Sequence, residues 1–105
     1  MITRRGGAFA GRVAASLLTA VGLPELVTHT LADYEALALK LATDRDALAA
    51  IRDKLARNRD TQPLFDTQRT ARLLESAFTA MVERRRRGET PESFDVPPLP
   101  ASRTA

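Results

Sequence analysis

Four stretches of the chain carry apolar residues at helical spacing, and glycine, proline or capping residues separate them. In the first stretch the apolar residues recur every four positions: Phe9, Val13, Leu17 and Val21. Gly22 follows the last of them, and glycine readily adopts the left-handed conformation that ends a helix. The pattern predicts a helix over about 8–21.

Two further helices are predicted after the first. Thr30 has the character of an N-cap, with Asp33 three residues on in the capping-box position, and these start a helix. The apolar face of that helix consists of Tyr34, Leu37, Ala38 and Leu41. Thr43-Asp44 interrupts it and caps the next helix. The buried stripe of this third helix consists of Leu48, Ile51 and Leu55.

A polar segment precedes the last helix. Residues 57–63 are predicted to be a linker, because Pro63 cannot continue a helix. Asp66-Thr67 then begins a helix that Gly88 ends, and the cations Arg84–Arg87 in its final turn complement the helix dipole. Its apolar face consists of Leu74, Ala77, Phe78 and Met81.

Two short strands are predicted on either side of the first helix. Residues 1–3 have the character of a strand end, and residues 25–28 have the length and β-branching of a short buried strand. Strand, helix and strand in such close succession predict a right-handed parallel βαβ unit. The predicted fold class is therefore α/β and mostly helical, with two short parallel strands and about four helices.

Composition limits the chain to one small domain. It has 105 residues, 44% hydrophobic and 28% charged, and no cysteine, so a disulfide framework or a thiolate metal site is excluded. We assign residues 1–88 to the domain and residues 89–105 to a Pro-rich, largely disordered tail. No apolar run approaches the roughly 20 residues that span a bilayer, so we expect no membrane partner and a cytoplasmic protein.

The basic charge is concentrated near the end of the last helix. The net charge is +3, and Arg84–Arg87 supply four consecutive cations. A nucleic-acid face usually carries interleaved aromatics or a second basic patch, and neither accompanies these arginines. A solvated helix terminus is therefore favoured over binding of nucleic acid or of an acidic membrane surface.

The candidate site residues lie at the ends of the predicted strands. Gly6 and Gly7 form a glycine turn at the start of the first helix, which is either a structural turn or a place where backbone amides approach a phosphate. His29 is either a proton shuttle or phosphate contact at a strand end, or a surface histidine beside a helix cap. Arg12 either anchors the first helix to a preceding lobe or is exposed. No nucleophile-base pair or metal-ligand cluster is recognisable, so we assign no catalytic residue, metal or cofactor.

Over roughly residues 3–95 the sequence resembles the last part of the catalytic region of O-linked N-acetylglucosaminyltransferases. The segments that carry the resemblance are Arg12-Val13-Ala14-Ala15-Ser16-Leu17-Leu18, Gly22-Leu23-Pro24-Glu25-Leu26, Asp33-Tyr34-Glu35, Ala38-Leu39-Lys40-Leu41, Arg57-Asn58-Arg59 and Pro63-Leu64-Phe65-Asp66-Thr67. Members of this family commonly carry Pro-Gly-Glu entering the first helix and Ala-Ser-Arg-Val within it. This chain has Arg5-Gly6-Gly7 and Ala10-Gly11-Arg12-Val13 at those places.

The resemblance implies a C-terminal fragment of a GT-B type Rossmann-like lobe. Such enzymes transfer N-acetylglucosamine from UDP-GlcNAc to Ser or Thr hydroxyls of proteins, and the His-Thr-Thr segment and following acid that hold the nucleotide would lie before Met1. The expected partners in the intact family are UDP-GlcNAc, a protein acceptor and the upstream catalytic lobe. We therefore expect a chain that is inactive alone. The alternatives are a small helical interaction module or a subunit complementing a partner glycosyltransferase lobe and, third, a basic nucleic-acid binder.

Overall fold

The computed structural model describes residues 1–100, which form four α-helices and a two-stranded sheet. The elements in chain order are β1 (Thr3–Arg4), α1 (Phe9–Ala20), β2 (Val27–Thr28), α2 (Leu31–Thr43), α3 (Arg45–Thr61) and α4 (Thr67–Arg86), with single 3-10 turns at Pro24–Leu26 and Pro63–Phe65. The two strands pair in parallel, with Thr3 opposite Val27. The predicted α/β, mostly helical fold class is confirmed, and it matches what a fragment of a GT-B lobe contains.

The predicted capping residues define the helix boundaries. The side chain of Thr30 accepts from the amide of Asp33 at 3.0 Å, and that of Asp44 accepts from the amide of Ala47 at 3.0 Å. Each bond satisfies a first-turn amide that has no partner within its helix. The single residue Asp44 thus ends α2 and begins α3.

Gly22 and Gly88 end α1 and α4 in the same way. Their φ angles are 74° and 76°, in the left-handed region. After α1, the amide of Gly22 donates to the carbonyl of Thr19 and that of Leu23 donates to Leu18. This pair of bonds is a Schellman motif, and glycine is favoured there because it carries no Cβ.

The core of the first compact unit, Met1–Phe65, lies between the sheet and the helices. Its buried cluster is Leu18, Val21, Leu23 and Leu26, against which Ile2, Val27, Leu37, Leu41, Ile51 and Leu64 pack. The buried hydroxyl of Thr28 donates to the carbonyl of Thr3 at 2.9 Å, which adds a side-chain bond to the short strand pair. The strands are therefore held by a hydrophobic cluster and not by ladder length.

The linker predicted over residues 57–63 is wrong. Helix α3 continues to Thr61, and only the turn at Pro63 ends it. The polar residues of this stretch are compatible with a helix, and the side chain of Asn58 is used to contact the end of α1. The helix ends just before Pro63, and the polar residues that precede the proline do not end it.

A second compact unit begins at Asp66. It contains α4, capped by Asp66 through the amide of Arg69 at 2.9 Å. Residues 89–100 contain neither helix nor strand. The tail assigned to 89–105 includes residues 101–105, which lie outside the described residues. Its disorder stays a prediction, and so does the domain boundary at residue 88.

Candidate functional site

The loop between β1 and α1 folds back onto the helix where Gly6 of the loop meets Gly11 of α1. The amide of Arg5 donates to the carbonyl of Thr28 at 2.7 Å, and the amide of Gly6 donates to the carbonyl of Gly11 at 2.9 Å. A methyl group placed on Gly11 would lie 3.2 Å from the Cα of Gly6, which is tighter than ordinary Cβ packing. The missing side chain of Gly11 lets the loop fold onto the first turn of α1.

The N-terminus of α1 is not capped by a side chain. Ala8 occupies the N-cap position, and the first turn of α1 contains no acidic residue. Free amides at a helix start can donate to an anion. The amide of Gly6 is already used by Gly11, whereas no atom lies within 4 Å of a methyl placed on Gly7. The phosphate approach assigned to Gly6 and Gly7 stays a prediction.

Helix α1 buries one face and exposes an apolar face opposite it. Ala15 and Leu18 are buried, and the helix is followed by buried Val21. Of the other three residues in the four-residue series, Phe9 is 86% exposed, Val13 39% and Leu17 43%. We call Phe9, Val13 and Leu17 the outer face of α1. Three of the four residues in the apolar series of the sequence therefore lie on this exposed face, and only Val21 lies in the core.

The outer face of α1 lies along an open groove of about 670 Å³. Arg5, Arg12 and Val27 of β2 also line the groove. Arg12 is exposed, so within the described residues it is not an anchor buried in this unit. A mainly apolar groove with two arginines in its lining is suited to an apolar surface that also carries carboxylates.

His29 lies between β2 and α2 and is exposed. It immediately precedes Thr30, the N-cap of α2. The structure thus places the histidine beside a helix cap, apart from the groove-lining residues. In the described part of the chain, no group of three or more acidic or histidine residues lies in a metal-binding arrangement.

The arginine cluster is partly paired with acidic residues that follow α4. Arg84 pairs with Glu92, and its Nε donates to the carbonyl of Thr90 at 2.9 Å. Arg87 Nε donates to Glu89 at 2.8 Å. The hydrogen bond from Arg87 holds the pKa of the Glu89 carboxyl below its usual value, outweighing a small effect of burial. Two of the four cations therefore already have carboxylate partners.

Two contacts that position α3 were missed by sequence reasoning. Asn58 Nδ2 donates to the carbonyls of Val21 and Gly22, and Lys54 Nζ lies 2.8 Å from Glu25 Oε1. Both join α3 to the segment after α1, and neither pair is close in sequence. Pairing across such a separation leaves no local pattern to detect.

Residues 1–100 contain no helix that is both long enough and apolar enough to cross a membrane. Comparison with protein families gives a match between residues 1–74 and the family described as Glycosyl transferase family 41.

Several relatives align over most of the chain. It is 40% identical over 90 residues, 86% of its length, to the Hordeum vulgare protein named probable UDP-N-acetylglucosamine–peptide N-acetylglucosaminyltransferase SPINDLY. It is 38% identical over 84 residues, 80% of its length, to the UDP-N-acetylglucosamine–peptide N-acetylglucosaminyltransferase of Caenorhabditis elegans. It is 37% identical over 97 residues, 91% of its length, to the probable enzyme of this name, SEC, of Arabidopsis thaliana.

These alignments cover only 10%, 7% and 10% of the three relatives. The chain thus spans about a tenth or less of the length of the relatives it matches. Its match to the family extends over more than half of its residues and includes β1, α1, β2, α2 and α3. The chain belongs to glycosyl transferase family 41, the family of the O-linked N-acetylglucosaminyltransferases.

Proposed function

We propose that this chain is the C-terminal section of an O-linked N-acetylglucosaminyltransferase catalytic domain, that it completes the nucleotide-binding lobe, and that it is inactive alone. The observation that carries the proposal is the match of one βαβ unit and its following helices to about a tenth of the relatives' length. In the intact enzyme the donor would be UDP-GlcNAc and the acceptor a Ser or Thr hydroxyl of a protein.

The chemistry of the described residues favours a role in completing the lobe over a role in the transfer reaction itself. Sugar transfer from a nucleotide needs groups that stabilise the departing pyrophosphate and groups that position the acceptor hydroxyl. The start of α1 offers uncapped amides near Gly7, but the only histidine lies exposed beside the cap of α2. A contact from Gly7 to a phosphate would add to a site made mainly by residues outside this chain.

Calorimetric titration of the purified chain with UDP tests the first part of the proposal. We expect no measurable heat, because the groups proposed to grip the nucleotide are not among these residues. Titration of an intact family member under the same conditions is the positive control. Stoichiometric uptake of UDP by the isolated chain would contradict the proposal.

Complementation tests the second part. The catalytic domain of a relative, shortened by the section that corresponds to this chain, is mixed with the purified chain and assayed for sugar transfer from UDP-GlcNAc to a peptide. We expect transfer only in the mixture. Absence of transfer, with the uncut catalytic domain active, would count against the proposal.

A small helical interaction module is the second candidate function. It is favoured by the exposed apolar residues on α1 and on α4, where Leu74, Phe78 and Met81 are about half exposed. A module of this kind would bind a partner without restoring transfer. The cytoplasmic location expected from the sequence stays a prediction under either function.

A further inference from the structure

Helix α4 has a covered side and an open side. The covered side consists of residues at helical spacing that are buried or half-buried: Leu73, Ala77, Ala80 and Arg84. Ala77 is the most enclosed of them, with 9% of its surface exposed. The open side consists of apolar residues that are about half exposed: Leu74, Phe78 and Val82. Some part of the protein therefore lies over the covered side and not over the open side.

Three contacts turn the chain back at the end of α4. The amide of Glu89 donates to the carbonyl of Arg84 at 3.2 Å, just after Gly88 with its φ of 76°. The Nε of Arg84 donates to the carbonyl of Thr90 at 2.9 Å, and the same guanidinium pairs with Glu92. Since the side chain of Arg84 is only 25% exposed, a residue of the covered side holds the returning chain at its start.

Residues 89–100 then run along α4 towards its beginning. Phe94 lines a cavity of about 360 Å³ together with Met81, in the second half of the helix. Leu99 lines another cavity, of about 150 Å³, together with Arg72, near the start of the helix. The segment therefore lies antiparallel to α4.

The length of the segment matches the length of helix that it follows. Between Arg84 and Arg72 the helix rises about 18 Å, at about 1.5 Å per residue. Between Glu92 and Leu99 a polyproline-like chain extends about 22 Å, at about 3.1 Å per residue. One extended passage is enough to reach from one cavity to the other.

The apolar residues of the segment share one side. Phe94 and Val96 are two residues apart, which is the repeat of an extended chain, and Leu99 follows Val96 at the three-residue repeat of polyproline II. Val96 and Leu99 are half-buried and Phe94 is 37% exposed, whereas the polar residues Ser93 and Asp95 are exposed. The segment thus has an apolar side that is suited to lie on a helix.

We propose that residues 89–100 form a strap that closes over the covered side of α4, with its apolar side against Ala77 and with Arg84 as its latch. While the strap is closed, the open side of α4 is available to a partner and the covered side is not. Lifting the strap exposes the covered side to a second apolar surface, so the strap sets how much of α4 can bind. The strap replaces the disorder predicted for the tail and does not rest on the proposed function.

A single introduced thiol tests whether the covered side is shielded. The chain has no cysteine, so one substitution supplies the only reactive thiol. Ala77→Cys places it under the strap, and Ser76→Cys places it at the neighbouring exposed position. We expect a soluble maleimide to modify Ala77→Cys at least about tenfold more slowly than Ser76→Cys, because reaction requires the strap to open. Equal rates would overturn the strap.

A second substitution tests whether the strap is what shields Ala77. Val96→Asp, added to Ala77→Cys, places a charge on the apolar side of the strap and should speed the reaction about fivefold or more. Ser93→Asp adds the same charge on the polar side, and as the matched control it should change the rate less than about twofold. Far-UV circular dichroism checks that the variants are equally helical. An unchanged rate with Val96→Asp, or equal acceleration by both substitutions, would overturn the strap.

Binding of the apolar dye anilinonaphthalene sulfonate tests whether the strap controls the apolar surface of α4. In the chain without introduced cysteine, Val96→Asp should increase dye fluorescence over the unaltered chain, because the covered side becomes accessible. Ser93→Asp should leave the fluorescence unchanged. Equal fluorescence of Val96→Asp and Ser93→Asp would show that lifting the strap exposes no binding surface and would contradict the proposal.

Discussion

The side chain of Asn58 closes the end of α1 by donating to the carbonyls of Val21, at 2.9 Å, and Gly22, at 3.1 Å. Asn58 lies in the last turns of α3, far from Gly22 in sequence. The bonds satisfy two carbonyl oxygens that lie beyond the intrahelical pattern of α1. One amide group thus fixes α3 against the turn that leads from α1 into the buried segment around Leu23.

Replacing Gly22 by alanine is expected to destabilise the fold more than the same change at Gly88. Both residues have positive φ, which costs alanine about 1–2 kcal/mol. At Gly22 the new methyl would also lie 2.7 Å from Asn58 Nδ2 and 3.0 Å from the side chain of Gln62, whereas at Gly88 nothing lies within 4 Å. Urea denaturation should show an additional loss of about 1 kcal/mol or more for Gly22→Ala. Equal losses of unfolding free energy in Gly22→Ala and Gly88→Ala would show that the close approach of the new methyl to Asn58 has no cost.

Asn58→Asp should destabilise the first unit although it preserves the shape of the side chain. A carboxylate cannot donate to the carbonyls of Val21 and Gly22, and it places negative charge beside both. We expect a loss of about 1–3 kcal/mol in unfolding free energy at neutral pH. Because protonation restores a donor and the two carbonyls favour the protonated form, the loss should shrink as the pH falls towards about 4 and be smallest below it. Thr61→Val, at an exposed position of the same helix, is the control.

The contact between Glu25 and Lys54 predicts a specific pH dependence. Partial burial raises the pKa of the Glu25 carboxyl, but its hydrogen bonds with Lys54 and the backbone and the charge of Lys54 outweigh burial, so the pKa lies below the usual 4.5. A carboxyl whose pKa is lower in the folded state stabilises the fold above its unfolded pKa, and this contribution is lost as the pH falls through the folded pKa. Both side chains are more than a third exposed, so the contribution is below about 1 kcal/mol.

Thermal unfolding of the unaltered chain and of Glu25→Gln measures this contribution. The melting temperatures should differ most at neutral pH and converge below about pH 4.5. The difference between the two proteins is the relevant quantity, because the pKa of Glu89 is lowered as well and affects both equally. A constant difference from pH 7 to pH 3 would show that the Glu25 charge does not stabilise the fold.

Arg84 is expected to hold the segment that follows α4. It contacts Glu92 and the carbonyl of Thr90, and its side chain is 25% exposed. Arg84→Ala should speed chymotrypsin cleavage after Phe94 several-fold, because the segment loses its charged contacts. Arg86→Ala, two positions along the helix and outside the cavity that Arg84 and Phe94 line, is the matched control and should cleave at the rate of the unaltered chain. Similar acceleration in both variants would assign the effect to helix charge in general.

Helix boundaries that depend on local chemistry could be predicted from the sequence. The caps at Thr30 and Asp44 and the stops at Gly22 and Gly88 all act within four residues of themselves, so each leaves a local signature. Parallel pairing of the two strands also followed from their order around α1. These features determine most of the fold class.

Features that depend on distant partners could not be predicted in this way. Polar residues 57–61 gave no sign that they extend α3, because the contact that uses Asn58 is made with Val21 and Gly22. The apolar series of α1 could not reveal that Phe9 would be exposed and Leu18 buried, since both sides of the helix are apolar. Deciding between the two sides requires knowing which body covers each.

The register of β1 and β2 has a consequence for the order of events in folding. Thr3 can meet Val27 only after the whole of α1 has been placed between them, whereas α2 and α3 are joined through the single residue Asp44. Local hairpins of helices form before pairings that close long loops. In pulse-labelling hydrogen exchange, amides of α2 and α3 should gain protection before the amide of Arg5, which bonds to Thr28. We therefore expect the strand pair to be the last part of the first unit to close.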